Sequence, residues 1–198
     1  MRIVHFAGFY QCGKTEIIRR ICEGRKADFI ANNEPSAEAL KGICMNVDSF
    51  PLRSPCARIR QYGYRIDMMK GHSPEIVITE PPGNCMEVSA PMLNQIFVTD
   101  KNVDIGPLIT VVDGRKMIAG ISKRDSEGLR IFNMVDESDV VVVSFSDLLS
   151  DDDRKSVIGI VSEINPDARL LFSEPDSDLS ELQDLVFGDA KYTRPLYN

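Results

Sequence analysis

Short apolar runs recur along the chain, separated by longer stretches of mixed polarity. They are Ile3-Val4-His5-Phe6-Ala7, Ala27-Asp28-Phe29-Ile30-Ala31, Glu75-Ile76-Val77-Ile78-Thr79, Leu108-Ile109-Thr110-Val111-Val112, Val140-Val141-Val142-Val143 and Ala168-Arg169-Leu170-Leu171-Phe172. Near-continuous apolarity over four or five residues, rich in β-branched side chains, marks strands buried on both faces. Between the runs, apolar positions fall at helical spacing. Glu16-Ile17-Ile18-Arg19-Arg20-Ile21 follows the first run, and Leu129, Ile131, Phe132, Met134 and Val135 pattern residues 125–137. Further helices are predicted from about Asp151 to Ile164, where Asp151 to Asp153 favour the dipole of the first turn, and over 178–187. Ser54-Pro55 reads as an N-cap with proline at the first helical position, opening a helix to about Lys70. Residues 88–98 read as helical, and residues 33–53, with Pro35, Gly42 and Pro51, as irregular. The expected fold is α/β, a mainly parallel sheet with helices on both faces.

Composition narrows the picture. A chain of 198 residues, 43% hydrophobic and 27% charged, suits one well-buried domain. We expect it to span residues 1–190, with 191–198 a loose tail. Net charge is −7, which argues against broad affinity for nucleic acid or anionic lipid. No apolar stretch approaches the roughly 18 residues that cross a membrane. The N-terminus enters the first strand directly, so no signal peptide is expected and the cytoplasm is the expected compartment. Five widely spaced cysteines, Cys12, Cys22, Cys44, Cys56 and Cys85, read as thiols rather than a disulfide framework.

The chemistry starts after the first strand. Gly8-Phe9-Tyr10-Gln11-Cys12-Gly13-Lys14-Thr15 fits Gly-x-x-x-x-Gly-Lys-[Ser/Thr] at every fixed position, with a strand before it and a helix from Glu16 after it. Gly8 and Gly13 permit backbone angles that aim successive N–H groups at phosphate oxygens. The helix adds its positive dipole end. Lys14 is expected to reach the β- and γ-phosphates, and Thr15 to offer its hydroxyl to Mg²⁺. Cys12 contributes its backbone; Cys22 and His5 read as structural.

Two predicted strands end in an acid that could serve Mg²⁺, Glu80 and Asp113. Glu80 is the stronger candidate, because Pro81-Pro82-Gly83 leads from it past the γ-phosphate position. The Gly83 N–H is then placed to sense that phosphate and re-order the following loop on hydrolysis. Asp113 reads equally well as a helix cap or a structural turn.

Taken in order, these motifs resemble the SIMIBI-class GTPases of metal-centre assembly, the group containing the CobW, HypB and UreG proteins. Ala31-Asn32-Asn33-Glu34 looks like the family's Asn-Glu after strand two, and Gly42-Ile43-Cys44-Met45-Asn46 like its cysteine-bearing segment. Glu80-Pro81-Pro82-Gly83-Asn84 resembles Glu-x-x-Gly, Val111-Val112-Asp113 resembles Val-Val-Asp, and Asn165-Pro166 with Ser173 resembles the late base-contacting region. Two departures stand out. Where the family reads guanine with Asn-Lys-x-Asp, this chain has Ser144-Phe145-Ser146-Asp147. The retained carboxylate can accept both N1–H and the exocyclic amine of guanine. Asp147 and Ser173 are therefore the expected base contacts, with GTP implied and ATP left open. The CobW-type Cys-x-Cys-Cys is reduced to Cys44, which the resemblance makes a candidate soft-metal ligand for Zn²⁺ or Ni²⁺ beside the γ-phosphate. One thiolate under-coordinates such an ion, so Cys56, Cys85, His72 or the Cys44 of a second protomer in a homodimer would complete the site.

The resemblance implies a GTPase switch that assists metal or metal-cofactor insertion into a client protein. The resemblance then implies a core-only member of the HypB and UreG sort, without the second domain of CobW proteins. Two other readings compete. A small-molecule P-loop kinase would use Arg53, Arg58, Arg60 and Arg65 as a lid, and a degenerate member would bind nucleotide as an interaction module with little hydrolysis.

Overall fold

In the computed structural model, residues 1–49, 59–80, 102–123 and 125–193 are described, the side chains of 59–62 excepted. In chain order the elements are β1 (Arg2–Ala7), α1 (Lys14–Cys22), β2 (Asp28–Ala31), α2 (Glu34–Leu40), β3 (Val47–Ser49), α3 (Ile59–Lys70) and β4 (Ile76–Thr79). There follow β5 (Asp104–Asp113), α4 (Gly114–Lys123), α5 (Ser126–Glu137), β6 (Val140–Ser144), a 3₁₀ turn (Ser146–Leu148), α6 (Asp151–Ile164), β7 (Arg169–Phe172) and α7 (Ser180–Phe187). The strands form one sheet in the order β3-β2-β4-β1-β5-β6-β7, with every pairing parallel.

The continuous apolarity of the strands has the expected cause. Successive side chains point to opposite faces, and both faces are covered. Val4, Phe6, Ile76, Ile78, Val140 and Val142 pack with Ile17, Ile18 and Ile21 of α1, Leu40 of α2 and Leu182 of α7. Ile3, Val77, Val141 and Val143 pack on the other side with Ile66 of α3, Met117 of α4, Ile131 and Val135 of α5, and Val157 and Val161 of α6.

The six predicted strands are present, and a seventh is added. Residues 33–53 are not irregular throughout: they contain α2 and the short edge strand β3. Asn33 caps α2 by accepting the Ser36 N–H at 2.9 Å, and Pro35 falls in the first turn, where no intrahelical N–H is needed. Helix α4 was also not anticipated. Strand β5 starts at Asp104 because Gly106-Pro107 forms a bulge against β1, between the partners Ile3↔Ile105 and His5↔Leu108. Helix α6 runs over the predicted span, opened by Ser150 and Asp153 in a reciprocal cap. Of the expected tail, Thr193 donates to Asp139 Oδ1 at 3.0 Å through its backbone, and residues 194–198 lie outside the described part. The expected helices over 54–58 and 88–98, and the Pro81-Pro82-Gly83 turn, also lie outside it.

His5 is structural, as its sequence context suggested. It is fully buried in β1, with Nδ1 2.6 Å from Thr79 Oγ1 of β4. Burial lowers its pKa from 6.5 to about 3. Between those values the unfolded chain holds a proton that the folded chain does not. Stability should therefore fall as pH drops through 6.5 toward 3, with a slope from this group of up to ~1.4 kcal/mol per pH unit. Denaturant titrations from pH 7 to 4 should show a shallower acid slope in His5→Gln.

Candidate nucleotide-binding site

The centre of the sheet sets the site. Strand β1 lies between β4 and β5, so its carboxyl end is flanked by theirs, at the position where open parallel sheets bind ligands. Gly8 leaves β1 at φ 141°, and a Cβ on it would lie 2.3 Å from the Val111 carbonyl oxygen of β5. Only glycine passes there. Gln11 and Gly13 take left-handed angles, φ 57° and 84°, which turn consecutive N–H groups to one side. Helix α1 then begins at Lys14 with no side chain capping its first N–H groups, so those donors remain for an anion.

A cavity of about 310 Å³ opens over this loop, lined by residues 10–16 with Asn32, Asn33, Ser36 and Glu80. Lys14 is only 5% exposed. Its ammonium donates to the carbonyls of Gly8 at 2.8 Å and Phe9 at 2.9 Å and stands 3.6 Å from Glu80 Oε1. Glu80 follows β4 and is fixed there by its N–H, which donates to the Ile30 carbonyl of β2 at 3.1 Å. Burial pushes its pKa up, and the Lys14 charge opposes that without cancelling it. Thr15 Oγ1 lies 2.9 Å from Ser36 Oγ of α2. Glu80 Oε2 and Asn32 Oδ1 are buried and have no hydrogen-bond partner among the described residues. Orphaned oxygens at the cavity, beside a threonine hydroxyl, are hard donors of the kind that suits Mg²⁺.

The loop residues expected from sequence thus come together. Tyr10, Gln11, Cys12, Gly13, Lys14, Thr15 and Glu16 line the cavity, while Gly8 and Phe9 hold Lys14 from behind. Gly83, Cys56 and Cys85 lie outside the described residues. Asp113 is a helix cap: its Oδ1 accepts the N–H groups of Arg115 at 3.0 Å and Lys116 at 3.4 Å and so starts α4. Ser36 was missed in the sequence. Its signal was there, because Asn33-Glu34-Pro35 directly after a strand is a helix start facing the ligand edge.

A second cavity, of about 180 Å³, shares Gly13 and Glu16 with the first and extends to Ser144, Phe145, Ser173 and Glu174. It lies between the ends of β6 and β7. Ser173 lines it. Asp147 does not: it is exposed on the 3₁₀ turn, because the buried Ser146 before it faces Glu174.

The sequence profile of the CobW/HypB/UreG nucleotide-binding domain matches residues 43–172, more than half of the chain. The chain belongs to the CobW/HypB/UreG family. The matched span starts after the phosphate loop, which rests on its own geometry. No curated protein sequence matches the chain. Among solved structures, the Zn(II)-bound YjiA GTPase from E. coli shares 16% identity at a TM-score of 0.62, covering 100% of this chain and 67% of that one. A Zn(II)-bound triple mutant of YjiA gives a TM-score of 0.64 with the same identity and coverage. The signal recognition particle receptor FtsY from Elizabethkingia anophelis shares 14% identity at a TM-score of 0.57, covering 94% of this chain and 65% of that one. This chain therefore spans about two thirds of these neighbours' length. At such identities the likeness is one of fold, the SIMIBI arrangement of the P-loop NTPases.

For this CobW-family chain, the structure corrects the placement of Cys44. The thiol was expected beside the γ-phosphate. It lies instead at the opposite, amino edge of the sheet, in the turn after α2, where the Met45 N–H next to it donates to the Ala27 carbonyl just before β2. Cys44 is 6% exposed and packs in the same core as Cys22 at the far end of α1. A side-chain hydrogen bond between the two thiols pushes Cys22 up and Cys44 down. His72 Nδ1 stands 3.5 Å from the buried Asp28 carboxylate. No group of three or more metal-ligating side chains is gathered among the described residues. No helix among them is long and apolar enough to cross a membrane.

Proposed function

We propose that this chain is a nucleoside triphosphatase switch, with GTP the substrate its family implies, that assists insertion of a metal or metal-containing cofactor into a client protein in the cytoplasm. The observation that carries the reading is the convergence of Lys14, Thr15, Glu80, Ser36 and Asn32 on one cavity over an uncapped helix start. The client role rests on membership of the family and on the YjiA neighbour having been solved with Zn(II).

The chemistry follows from charge. A triphosphate brings several negative oxygens, and phosphoryl transfer to water needs positioning and neutralisation more than covalent help. The N–H groups of the loop and of the first turn of α1 hold the β-phosphate. Lys14 exchanges the Gly8 and Phe9 carbonyls for the β- and γ-oxygens, a gain because its charge then meets charge rather than dipoles. Thr15 and Glu80 would hold Mg²⁺, whose bound charge offsets that developing on the phosphates. Ser36 orients the Thr15 hydroxyl, and the sheltered cavity strengthens each of these interactions.

Two measurements on the wild-type chain test the proposal: titration with a non-hydrolysable GTP analogue with and without Mg²⁺, and phosphate release over time. We expect Mg²⁺-dependent binding and slow turnover. Binding that is indifferent to Mg²⁺, with no phosphate released, contradicts the switch reading.

A further inference from the structure

We propose that the base cavity holds a purine by stacking on Phe145 and does not distinguish guanine from adenine. This rests on the nucleotide-binding reading above and adds to it the class of base. The cavity opens from the phosphate site through Gly13 and Glu16, so a nucleotide on the loop places its base there.

Discrimination of guanine needs a carboxylate that accepts N1–H and the exocyclic amine together. Three acids stand near, and none is offered. Asp147 is exposed and outside the lining. Glu174 has its Oε1 taken by Arg154 and by Ser146, whose hydroxyl is 3.4 Å away, so it does not present both oxygens to a base. Glu16 accepts two bonds from the Arg19 guanidinium at 2.8 Å each. Ser173 also lines the cavity, but it brings a single hydroxyl that either purine can meet, and two other polar groups are committed. Ser144 donates to the Val112 carbonyl at 3.1 Å, and the Arg20 guanidinium donates to the Glu174 carbonyl at 2.8 Å and to the Ser177 carbonyl.

What the cavity does offer is a ring. Phe145 is 37% exposed. It takes a left-handed backbone angle, φ 52°, that phenylalanine rarely adopts. Its ring edge approaches the loop: the position of a Cβ on Gly13 would be 3.7 Å from Phe145 Cζ. An exposed aromatic side chain in a strained conformation at a ligand site is the kind of outlier that points to function. Every base has a π-face, so stacking on an aromatic ring is tolerant of base identity, and the larger purines stack best.

The test is a titration panel of non-hydrolysable GTP and ATP analogues and a CTP control, with Mg²⁺, on the full chain. Wild type should bind the two purine nucleotides within about threefold of each other, and CTP more weakly. Phe145→Gly, which adopts the left-handed angle without strain and so keeps the fold, should weaken both purines by about tenfold, the size of one lost base–aromatic stack. Phe145→Tyr should retain both. Asp147→Asn should change neither. A hundredfold wild-type preference for GTP, or a loss of GTP alone in Asp147→Asn, overturns the inference and leaves the phosphate-site reading standing. Absence of binding for every nucleotide overturns both.

Discussion

Lys14→Ala is expected to lower affinity for a triphosphate at least a hundredfold, while the protein still folds. Lys14 is the only cation whose charged group sits inside the phosphate cavity among the described lining residues. Its contacts to two phosphates are charge-assisted and sheltered, each worth about 1.5–3 kcal/mol, and two decades of affinity correspond to about 2.8 kcal/mol. The substitution leaves the fold because the grip of α1 on the sheet comes from Ile17, Ile18 and Ile21, all buried. Alanine also favours the helix at that position. The cost to the apo protein is that the buried Glu80 loses the charge 3.6 Å away, which should show as a fall in Tm. Calorimetric titration and a thermal melt on the same sample check both halves, and unchanged affinity would remove the loop from the account.

Glu80→Gln is expected to reduce kcat about tenfold or more, and Asp113→Asn to leave it nearly unchanged. Both acids end strands that flank β1, so strand order alone does not choose between them. Their partners do. Asp113 spends its Oδ1 on the N–H groups that start α4. Asparagine caps helices about as well as aspartate, so the second variant should be silent in stability too. Glu80 has one oxygen beside Lys14 and the other buried, with no partner among the described residues. The amide would keep its shape and lose the charge that the metal needs. One lost transition-state interaction of ~1.4 kcal/mol gives the tenfold change. Single-turnover phosphate release on the two variants decides it, and a damaging Asp113→Asn beside a silent Glu80→Gln would put the metal on the other strand.

The sheet was legible in the sequence because a strand covered on both faces must be apolar at successive positions, and β1, β2, β4, β5, β6 and β7 are. Strand β3 was not, since Val47–Ser49 is three half-buried residues at the sheet edge and carries no such run. Helix α2 is hard to read because Pro35 looks like a breaker, although proline in the first turn after an asparagine cap starts helices. The turn from β1 into α1 was legible, since its backbone needs glycine at fixed places, Gly8 and Gly13. The base side was harder. Whether Asp147 faces the ligand depends on the 3₁₀ turn that Phe145 begins, and a left-handed phenylalanine leaves no mark in the sequence. Cys44 was misplaced for a related reason: the sequence puts it between β2 and β3, but only the direction of α2 decides that it ends at the amino edge.

The most direct measurement is a crystal structure of the chain with Mg²⁺ and a non-hydrolysable GTP analogue. The account predicts the triphosphate along residues 9–15, with the Lys14 ammonium moved from the Gly8 and Phe9 carbonyls to the β- and γ-oxygens and the metal beside Thr15 and Glu80. A nucleotide bound elsewhere, or a triphosphate on the loop with Lys14 still held by Gly8 and Phe9, would contradict it.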